Sequence, residues 1–230
     1  QKLFEKKKNI YYKTKNISDY FSKNRMSFSS FYESEKEILS SINWFNGISV
    51  LDVGCGCGGL GLALNDKFGV FDYTGIDIHS ESIKIANKKN LKTGFSFKNV
   101  DFMDFNTSDR NFDIVTSLSC VDWNLETDDM INKCWLAVKP GGAFIATFRL
   151  AQNISSNDEI SYQYINYNGE KEGELAPYII LSYEDIFKIG KKFNASKIKM
   201  SGYFREPSEV AVTSFNELFF CCVLFEKHRD

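Results

Sequence analysis

The stretch SVLDVGCGCGGLGLAL, residues 49–64, decides the fold class of this 230-residue chain. The apolar and β-branched residues around Asp52 are typical of a strand that is buried on both faces. Gly54, Gly56 and Gly58 follow at once, and glycines let the backbone turn sharply and approach a ligand closely. An apolar helix comes next. This order of strand, glycine loop and helix predicts a ligand at the loop, but the same glycine spacing also occurs in dinucleotide-binding folds.

A second predicted strand ends on an acidic residue. Thr74 to Ile78 has apolar residues around Asp77, which stands about 20 residues after the glycine loop, where nucleotide-binding folds place a ribose-binding acid. A carboxylate only accepts hydrogen bonds, and a ribose offers two hydroxyl donors, so the residue type suits the position. The alternative role for Asp77 is to cap the helix that follows.

Three further motifs follow in the chain: VDF at residues 100–102, FDIVTS at 112–117 and LAVKPGG at 136–142. With the glycine loop and Asp77, they resemble in content and order the class I S-adenosylmethionine-dependent methyltransferases. The resemblance covers the chain from about Ile48 to Phe148. It implies an enzyme that uses S-adenosyl-L-methionine as cofactor and releases S-adenosyl-L-homocysteine. No Asp-Asn pair follows the fifth predicted strand, as metal-dependent enzymes of the catechol type would require, so a metal is not favoured.

The resemblance also implies which residues hold the cofactor. Asp52 receives the ammonium, the glycine-loop backbone approaches the methionyl part and the ribose, and Asp77 accepts from both ribose hydroxyls. Asp101 accepts from the adenine amino group, while Ile78 and Phe102 enclose the ring. The complete predicted cofactor set is Asp52, Gly54, Cys55, Gly56, Asp77, Ile78, Asp101, Phe102 and Ser119.

The alternation of apolar strands and amphipathic helices predicts an α/β fold, a doubly wound and mostly parallel sheet with helices on both faces. The family resemblance makes it seven-stranded, with an antiparallel last strand inserted between the fifth and sixth. Ser80 is the candidate N-cap of one helix, and Ser182 begins a capping motif for another. The expected helices span residues 33–45, 60–68, 81–90, 128–138 and 183–193.

We expect one structural domain with two distinct parts. Residues 1–47 form an N-terminal lid or helical segment. Its first 32 residues are rich in aromatic residues, and their alternative role is a solvated arm. Residues 48–230 form the cofactor-binding methyltransferase domain. Within it, residues 149–181 interrupt the regular alternation and predict a substrate-pocket insertion, with a hairpin turn at Asn168 and Gly169.

Ligands of doubly wound sheets gather beyond the carboxyl ends of the strands, which nominates the loop at residues 119–126 for the acceptor site. Asp122 in this loop is our candidate general base or acceptor-orienting group; its alternative role is a helix cap. Arginine suits bidentate binding of phosphate or carboxylate, so two arginines predict an anionic acceptor. Their alternative role is in surface ion pairs with Glu206 or Glu209. The predicted substrate-binding residues are Trp123, Asn124, Arg149, Arg205 and Tyr20.

The composition of the chain disfavours several classes of function. The formal net charge of −2 disfavours a broad nucleic-acid-binding surface. The six cysteines lack the paired spacing of a zinc site or a disulfide framework. The sequence shows neither a signal-peptide pattern at its start nor an apolar run of about 20 residues, the length that spans a bilayer. We therefore expect a cytoplasmic protein without a membrane segment or a bound metal.

These observations predict an S-adenosylmethionine-dependent methyltransferase that acts on an oxygen or nitrogen of a small molecule. The two arginines suggest an acceptor that is phosphorylated, sugar-linked or otherwise acidic. Three alternatives stay open: a protein or RNA methyltransferase, a cofactor-binding subunit without turnover, and an aminopropyltransferase that uses the decarboxylated cofactor.

Overall fold

The computed structural model describes most of the chain, in seven segments. These are residues 9–10, 12–13, 17–90, 92–152, 154, 160–166 and 168–229. The start of the predicted N-terminal lid and part of the predicted insertion therefore lie outside the described residues.

A large sheet carries the fold, with strand order β3-β2-β1-β4-β5-β11-β9. The first five strands on this path pair in parallel, and β11 pairs antiparallel with both β5 and β9. This arrangement confirms the predicted seven-stranded sheet, with its last strand inserted antiparallel. A two-residue strand, β8, adds to β5. The bounds are β1 Ser49–Val53, β2 Asp72–Asp77, β3 Phe95–Asn99, β4 Phe112–Ser117, β5 Val138–Ala151, β8 Leu181–Ser182, β9 Lys197–Arg205 and β11 Leu218–Glu226.

Helices cover both faces of this sheet, as predicted. Because neighbouring strand residues point to opposite faces, Val50 packs with α2, α3 and α4, whereas Leu51 packs with α5 and α6. Trp135 of α5 stacks on Phe193 after α6, with ring centroids 4.7 Å apart. The helix bounds are α1 Ile17–Phe21, α2 Glu33–Ser40, α3 Gly59–Phe68, α4 Ser80–Lys89, α5 Thr127–Leu136 and α6 Tyr183–Lys192.

A second, three-stranded antiparallel sheet follows β5. It consists of β6 Ile160–Ile165, β7 Glu174–Ile179 and β10 Ala211–Val212. The hairpin of β6 and β7 lies where the sequence predicts one, and Gly169 in its connection has a φ of +77°. A separate cluster of apolar side chains, which includes Ile10, Ile17 and Tyr178, joins this sheet to the N-terminal segment.

Several boundaries differ from the sequence predictions, and three of the differences have a clear structural cause. The N-cap of α4 is His79 and not Ser80, because the Asp77 carboxylate accepts the His79 amide at 2.8 Å and starts the helix one residue earlier. Helix α2 ends at Ser40, where the Ser41 hydroxyl and the Trp44 indole bond to the last carbonyls. Strand β5 begins at Val138, since its pairing with β4 shifts register between residues 112 and 114 and so accommodates the glycines.

The N-terminal segment is attached to the carboxyl end of the sheet. Asn9 forms an isolated antiparallel bridge with Asn124, and the Lys13 amide donates to the Glu174 carboxylate of β7 at 2.8 Å. These contacts bring the segment across the ends of the parallel strands. Within the described residues, the helices are all too short or too polar to cross a membrane.

Candidate active site

The glycine loop after β1 has the left-handed backbone that its sequence predicts. Gly54, Gly56 and Gly58 have φ values of +79°, +53° and +79°. A Cβ on Gly54 would lie 2.5 Å from the Cys120 Sγ, so this position admits no side chain. A Cβ on Gly56 would meet no atom within 4 Å. The backbone at Gly56 therefore borders open space, which a ligand can approach closely.

Asp77, at the end of β2, is held directly beside this loop. One carboxylate oxygen accepts the Gly56 amide and the other accepts the His79 amide, both at 2.8 Å. Burial raises the pKa of Asp77, although both amides lower it. Each oxygen retains a lone pair, so the carboxylate is oriented and can still accept hydroxyl donors.

Asp52, the last residue but one of β1, is buried behind the loop. Its carboxylate accepts hydrogen bonds from the Tyr73 hydroxyl and, at 2.8 Å, from the Thr116 hydroxyl. Burial raises its pKa to about 6 in spite of these two donors. At neutral pH, Asp52 is therefore a buried anion that a cationic group would stabilise.

Two cavities meet at these residues. The first has a mostly apolar wall and is bordered by Ile78, Asp101 and Phe102, where the sequence predicts the adenine. The second contains Asp52 and the glycine loop. The two share Tyr12, Gly54, Asp77 and Ser119. Together they include all nine residues of the predicted cofactor set.

Tyr12 lies between the two cavities. Its ring packs against Phe21 and His79, with centroids 5.7 and 5.4 Å away, and burial together with Asp77 raises its pKa. With Tyr12 in place, the first cavity measures about 50 Å³ and the glycine-loop cavity about 130 Å³. Both are smaller than the roughly 300 Å³ of ordinary ligand pockets.

A third cavity, of about 650 Å³, lies beyond the carboxyl ends of β4 and β5. Ser119 borders this cavity and both of the others, and it is therefore the point where the three meet. Ser119 has a φ of +53°, and its amide donates to the Thr147 hydroxyl at 2.6 Å. Of the residues predicted for catalysis and the acceptor, four border this cavity: Asp122, Arg149, Arg205 and Tyr20.

Asp122 and Arg149 form a buried ion pair in the wall of this acceptor cavity. Their side chains are 6% and 14% exposed. The guanidinium lies over the rings of Trp123, Tyr178 and Phe220, at 4.5, 4.6 and 5.8 Å from the centroids. Burial raises the pKa of Asp122 more than Arg149 lowers it. The Asp122 Oδ1 atom is buried without a hydrogen-bond partner among the described residues.

The remaining predicted acceptor residues divide into two groups. Arg205 and Tyr20 are exposed at the cavity edge. Trp123 and Asn124 are buried and do not border the cavity. Trp123 packs on Tyr178, and the Asn124 side chain accepts the Glu126 amide at 2.8 Å, so both support the loop that carries Asp122.

Sequence analysis missed several residues that border these cavities. Arg25 borders the glycine-loop cavity, and Glu35 and Tyr178 border the acceptor cavity. Tyr12 belongs to the aromatic-rich N-terminal segment that the sequence predicts as a lid, but no sequence pattern assigns this residue a role in the site. No pattern indicates Arg25 either, because it lies in a polar stretch and enters the site only through the tertiary fold.

The residues that border the first cavity and the glycine-loop cavity fit the cofactor that the sequence predicts. A buried anion, an oriented carboxylate beside a glycine loop and an apolar slot match an ammonium, a ribose and an adenine respectively. Among the described residues, we find no cluster of three or more histidine, cysteine or acidic side chains suited to a metal ion.

Comparison with known proteins identifies a methyltransferase domain in the chain. Residues 50–142 match a family model described as a methyltransferase domain. Phosphoethanolamine N-methyltransferase of Plasmodium falciparum is 28% identical over 183 residues, which is 77% of this chain and 66% of the relative. Fatty-acid O-methyltransferase of Mycolicibacterium smegmatis is 32% identical over 101 residues, which is 44% of this chain and 37% of the relative. The chain thus spans less than two thirds of the length of these relatives.

A solved structure supports the fold in the same way. Phosphoethanolamine N-methyltransferase 2 of Haemonchus contortus, in complex with phosphomonomethylethanolamine and S-adenosylhomocysteine, aligns with a TM-score of 0.62 at 15% identity. The alignment covers 87% of this chain and 53% of that one. The motifs, the sheet order and the domain match lead to one conclusion: residues 50–142 are a methyltransferase domain, in a chain with the Rossmann-like fold of the class I S-adenosylmethionine-dependent methyltransferases.

Proposed function

We propose that this chain transfers a methyl group from S-adenosyl-L-methionine to an oxygen or nitrogen of a small acceptor that carries an anionic group. The observation that carries the proposal is Ser119, which borders both an acceptor-sized cavity and the two cavities of the predicted cofactor residues. Its volume of about 650 Å³ lies in the range of small-molecule sites.

In this proposal, Asp52, Asp77 and Asp101 bind the ammonium, ribose and adenine of the cofactor. Tyr12 moves aside to admit it, because the cavities on either side of the ring are too small. When bound, the cofactor supplies an electrophilic methyl group on a cationic sulfur. The chain then has to align the acceptor with that methyl group, which is the main requirement of an in-line displacement.

Asp122 is the group we assign to the acceptor's proton. Its Oδ1 lacks a partner among the described residues, and an unsatisfied buried acceptor is costly, so a hydroxyl or amine of the acceptor is a suitable donor. The raised pKa makes the carboxylate a better base. Arg149 acts through Asp122 by holding its other oxygen.

Arg205 is the group we assign to the acceptor's anion. It is exposed at the cavity edge, and it forms no ion pair with another described residue. The names of the Plasmodium and Mycolicibacterium relatives, which refer to phosphoethanolamine and a fatty acid, are consistent with an anionic acceptor.

The first test is calorimetric titration with S-adenosylmethionine and S-adenosylhomocysteine. We expect binding by the wild type and a loss of at least ~10-fold in affinity in Asp77→Ala, because the ribose loses a charged acceptor. Asp109→Ala, an exposed acid outside both cofactor cavities, is the matched control. The absence of binding by the wild-type chain would contradict the proposal.

Methyl transfer is tested next, by the release of S-adenosylhomocysteine with phosphoethanolamine, a fatty acid and a phenolic acid as acceptors. With an anionic acceptor that turns over, Arg205→Met should raise KM by about 10-fold with little change in kcat, since a charged hydrogen bond is lost. Arg229→Met, at the opposite end of β5, should change neither constant. Turnover only on protein or RNA would favour the macromolecular alternative, and binding without turnover would favour a non-catalytic subunit.

A further inference from the structure

The cavity at the glycine loop is bordered by charges of both signs. Asp52 and Asp77 supply the anions, and Arg25 supplies the only arginine or lysine side chain that borders this cavity among the described residues. Asp52 and Arg25 are close enough for the Arg25 charge to lower the pKa of Asp52, against the larger effect of burial. A ligand with one cationic and one anionic group fits such a pair better than a ligand with either group alone.

The backbone of Arg25 is fixed by the glycine loop itself. A Cβ on Gly59, at the start of α3, would lie 2.1 Å from the Arg25 carbonyl oxygen. Only glycine at this position lets the N-terminal segment pack so closely on the helix. The contact with Arg25 therefore explains why residue 59 is a glycine, whereas Gly56 borders open space.

The guanidinium of Arg25 is oriented by Glu35, on helix α2. Glu35 is fully buried, and its Oε1 accepts from the Arg25 Nη2 at 2.7 Å. The Glu35 Oε2 accepts the Tyr32 amide at 2.9 Å, so the carboxylate also caps α2. The guanidinium lies 4.7 Å from the Phe31 ring centroid and 5.2 Å from that of Tyr32. These contacts use one of its nitrogens and leave further donors in a side chain that is 27% exposed.

We propose that Arg25 binds the carboxylate of the methionyl end of the cofactor, and that Glu35 is the positioning residue that holds Arg25 there. This assignment rests on the proposed function. With the ammonium at Asp52, the two ends of the amino-acid group meet opposite charges across one cavity. An aminopropyltransferase uses a decarboxylated cofactor, so a guanidinium at this place also argues against that alternative.

The test compares two ligands that differ only in the carboxylate: S-adenosylhomocysteine and its decarboxylated analogue. Arg25→Met should weaken calorimetric binding of S-adenosylhomocysteine by about 10- to 100-fold, the range of a charged hydrogen bond. Binding of the decarboxylated analogue should change by less than about twofold, because that ligand makes no contact that Arg25 provides. Arg229→Met is the matched control and should leave both affinities unchanged.

A second variant guards against misfolding, since Arg25→Met leaves the buried Glu35 charge unpaired. The double variant Arg25→Met/Glu35→Gln removes both charges and should show the same carboxylate-specific loss. Glu35→Gln alone keeps the arginine and should lose less affinity than either variant without it. An equal loss for both ligands, or none for either, would overturn the assignment. Failure of the wild type to bind S-adenosylhomocysteine would overturn the proposed cofactor site, and this assignment with it.

Discussion

At the scale of single residues, the cofactor side of the site is built from carboxylates that are costly to bury. Asp52 is 3% exposed, and its raised pKa means that the folded protein is destabilised by this charge at neutral pH. Tyr73 and Thr116 reduce the cost without removing it. We expect the protein to retain this strain because the charge is needed for the ammonium.

Asp52→Asn should therefore stabilise the ligand-free protein in a pH-dependent way. The folded pKa of about 6 exceeds the unfolded value of about 3.9, so the wild-type free energy of unfolding falls as pH rises from about 4 to 6. The variant avoids this loss, which is on the order of 3 kcal/mol for a shift of about two pKa units. Thermal unfolding should give a higher midpoint temperature for the variant at pH 8 and equal midpoints near pH 4.

Asp109→Asn, at an exposed position, serves as the control and should not show this pH dependence. A variant that is less stable than the wild type at pH 8, or a difference that does not change with pH, would contradict the interpretation of Asp52 as a strained anion.

At the scale of elements, α4 and α6 begin in different ways, although the sequence predicts a serine at the start of both. At α6, the Ser182 hydroxyl accepts the Asp185 amide at 3.2 Å, and the Asp185 carboxylate accepts the Ser182 amide at 2.9 Å. At α4 the N-cap is His79, whose side chain makes no capping bond. Asp77, a predicted ligand residue, thus sets the start of α4 by binding the His79 amide.

Ser182→Ala should lower the free energy of unfolding by about 1 kcal/mol, because α6 loses its N-cap acceptor. Ser80→Ala is the matched control: Ser80 is exposed and is not the cap, so its substitution should change stability by less than about 0.5 kcal/mol. Chemical denaturation of both variants separates the two effects. Equal losses, or a larger loss for Ser80→Ala, would contradict the assignment of the caps.

At the scale of the whole molecule, the Asp122–Arg149 pair lies where several parts of the fold meet. Asp122 is in a 3₁₀ turn after β4, and Arg149 is on β5. The rings around the guanidinium come from that turn, from β7 and from β11. The pair therefore joins the main sheet to the second sheet, which forms part of the acceptor cavity wall.

Arg149→Met should cost about 3–5 kcal/mol of stability, since it leaves the Asp122 charge buried and unpaired. Asp122→Asn/Arg149→Met should recover much of this loss, because the variant leaves neither charge in the interior. Arg110→Met breaks an exposed pair with Asp72 and should cost at most about 1 kcal/mol. Urea denaturation of these variants and of Asp122→Asn completes a double-mutant cycle. A coupling energy near zero would contradict the role of the pair.

The sequence by itself determined the fold class, the resemblance to a family and the expected positions of the cofactor residues. Asp52, Asp77 and Asp101 each lie within two residues of the carboxyl end of a parallel strand, and such ends meet at one edge of a sheet. Strand, loop and helix are local structures with their own sequence patterns, so the positions of these residues follow from the order of the elements.

Only the tertiary structure decided the acceptor side and the place of Arg25. The partner of Asp122 is 27 residues away, on β5, and one of the rings around that partner comes from β11. Arg25 reaches the glycine loop because α2 packs against the main sheet and carries Glu35, and because Gly59 leaves room for its backbone. Such contacts depend on packing between distant segments, which no local pattern of residues encodes.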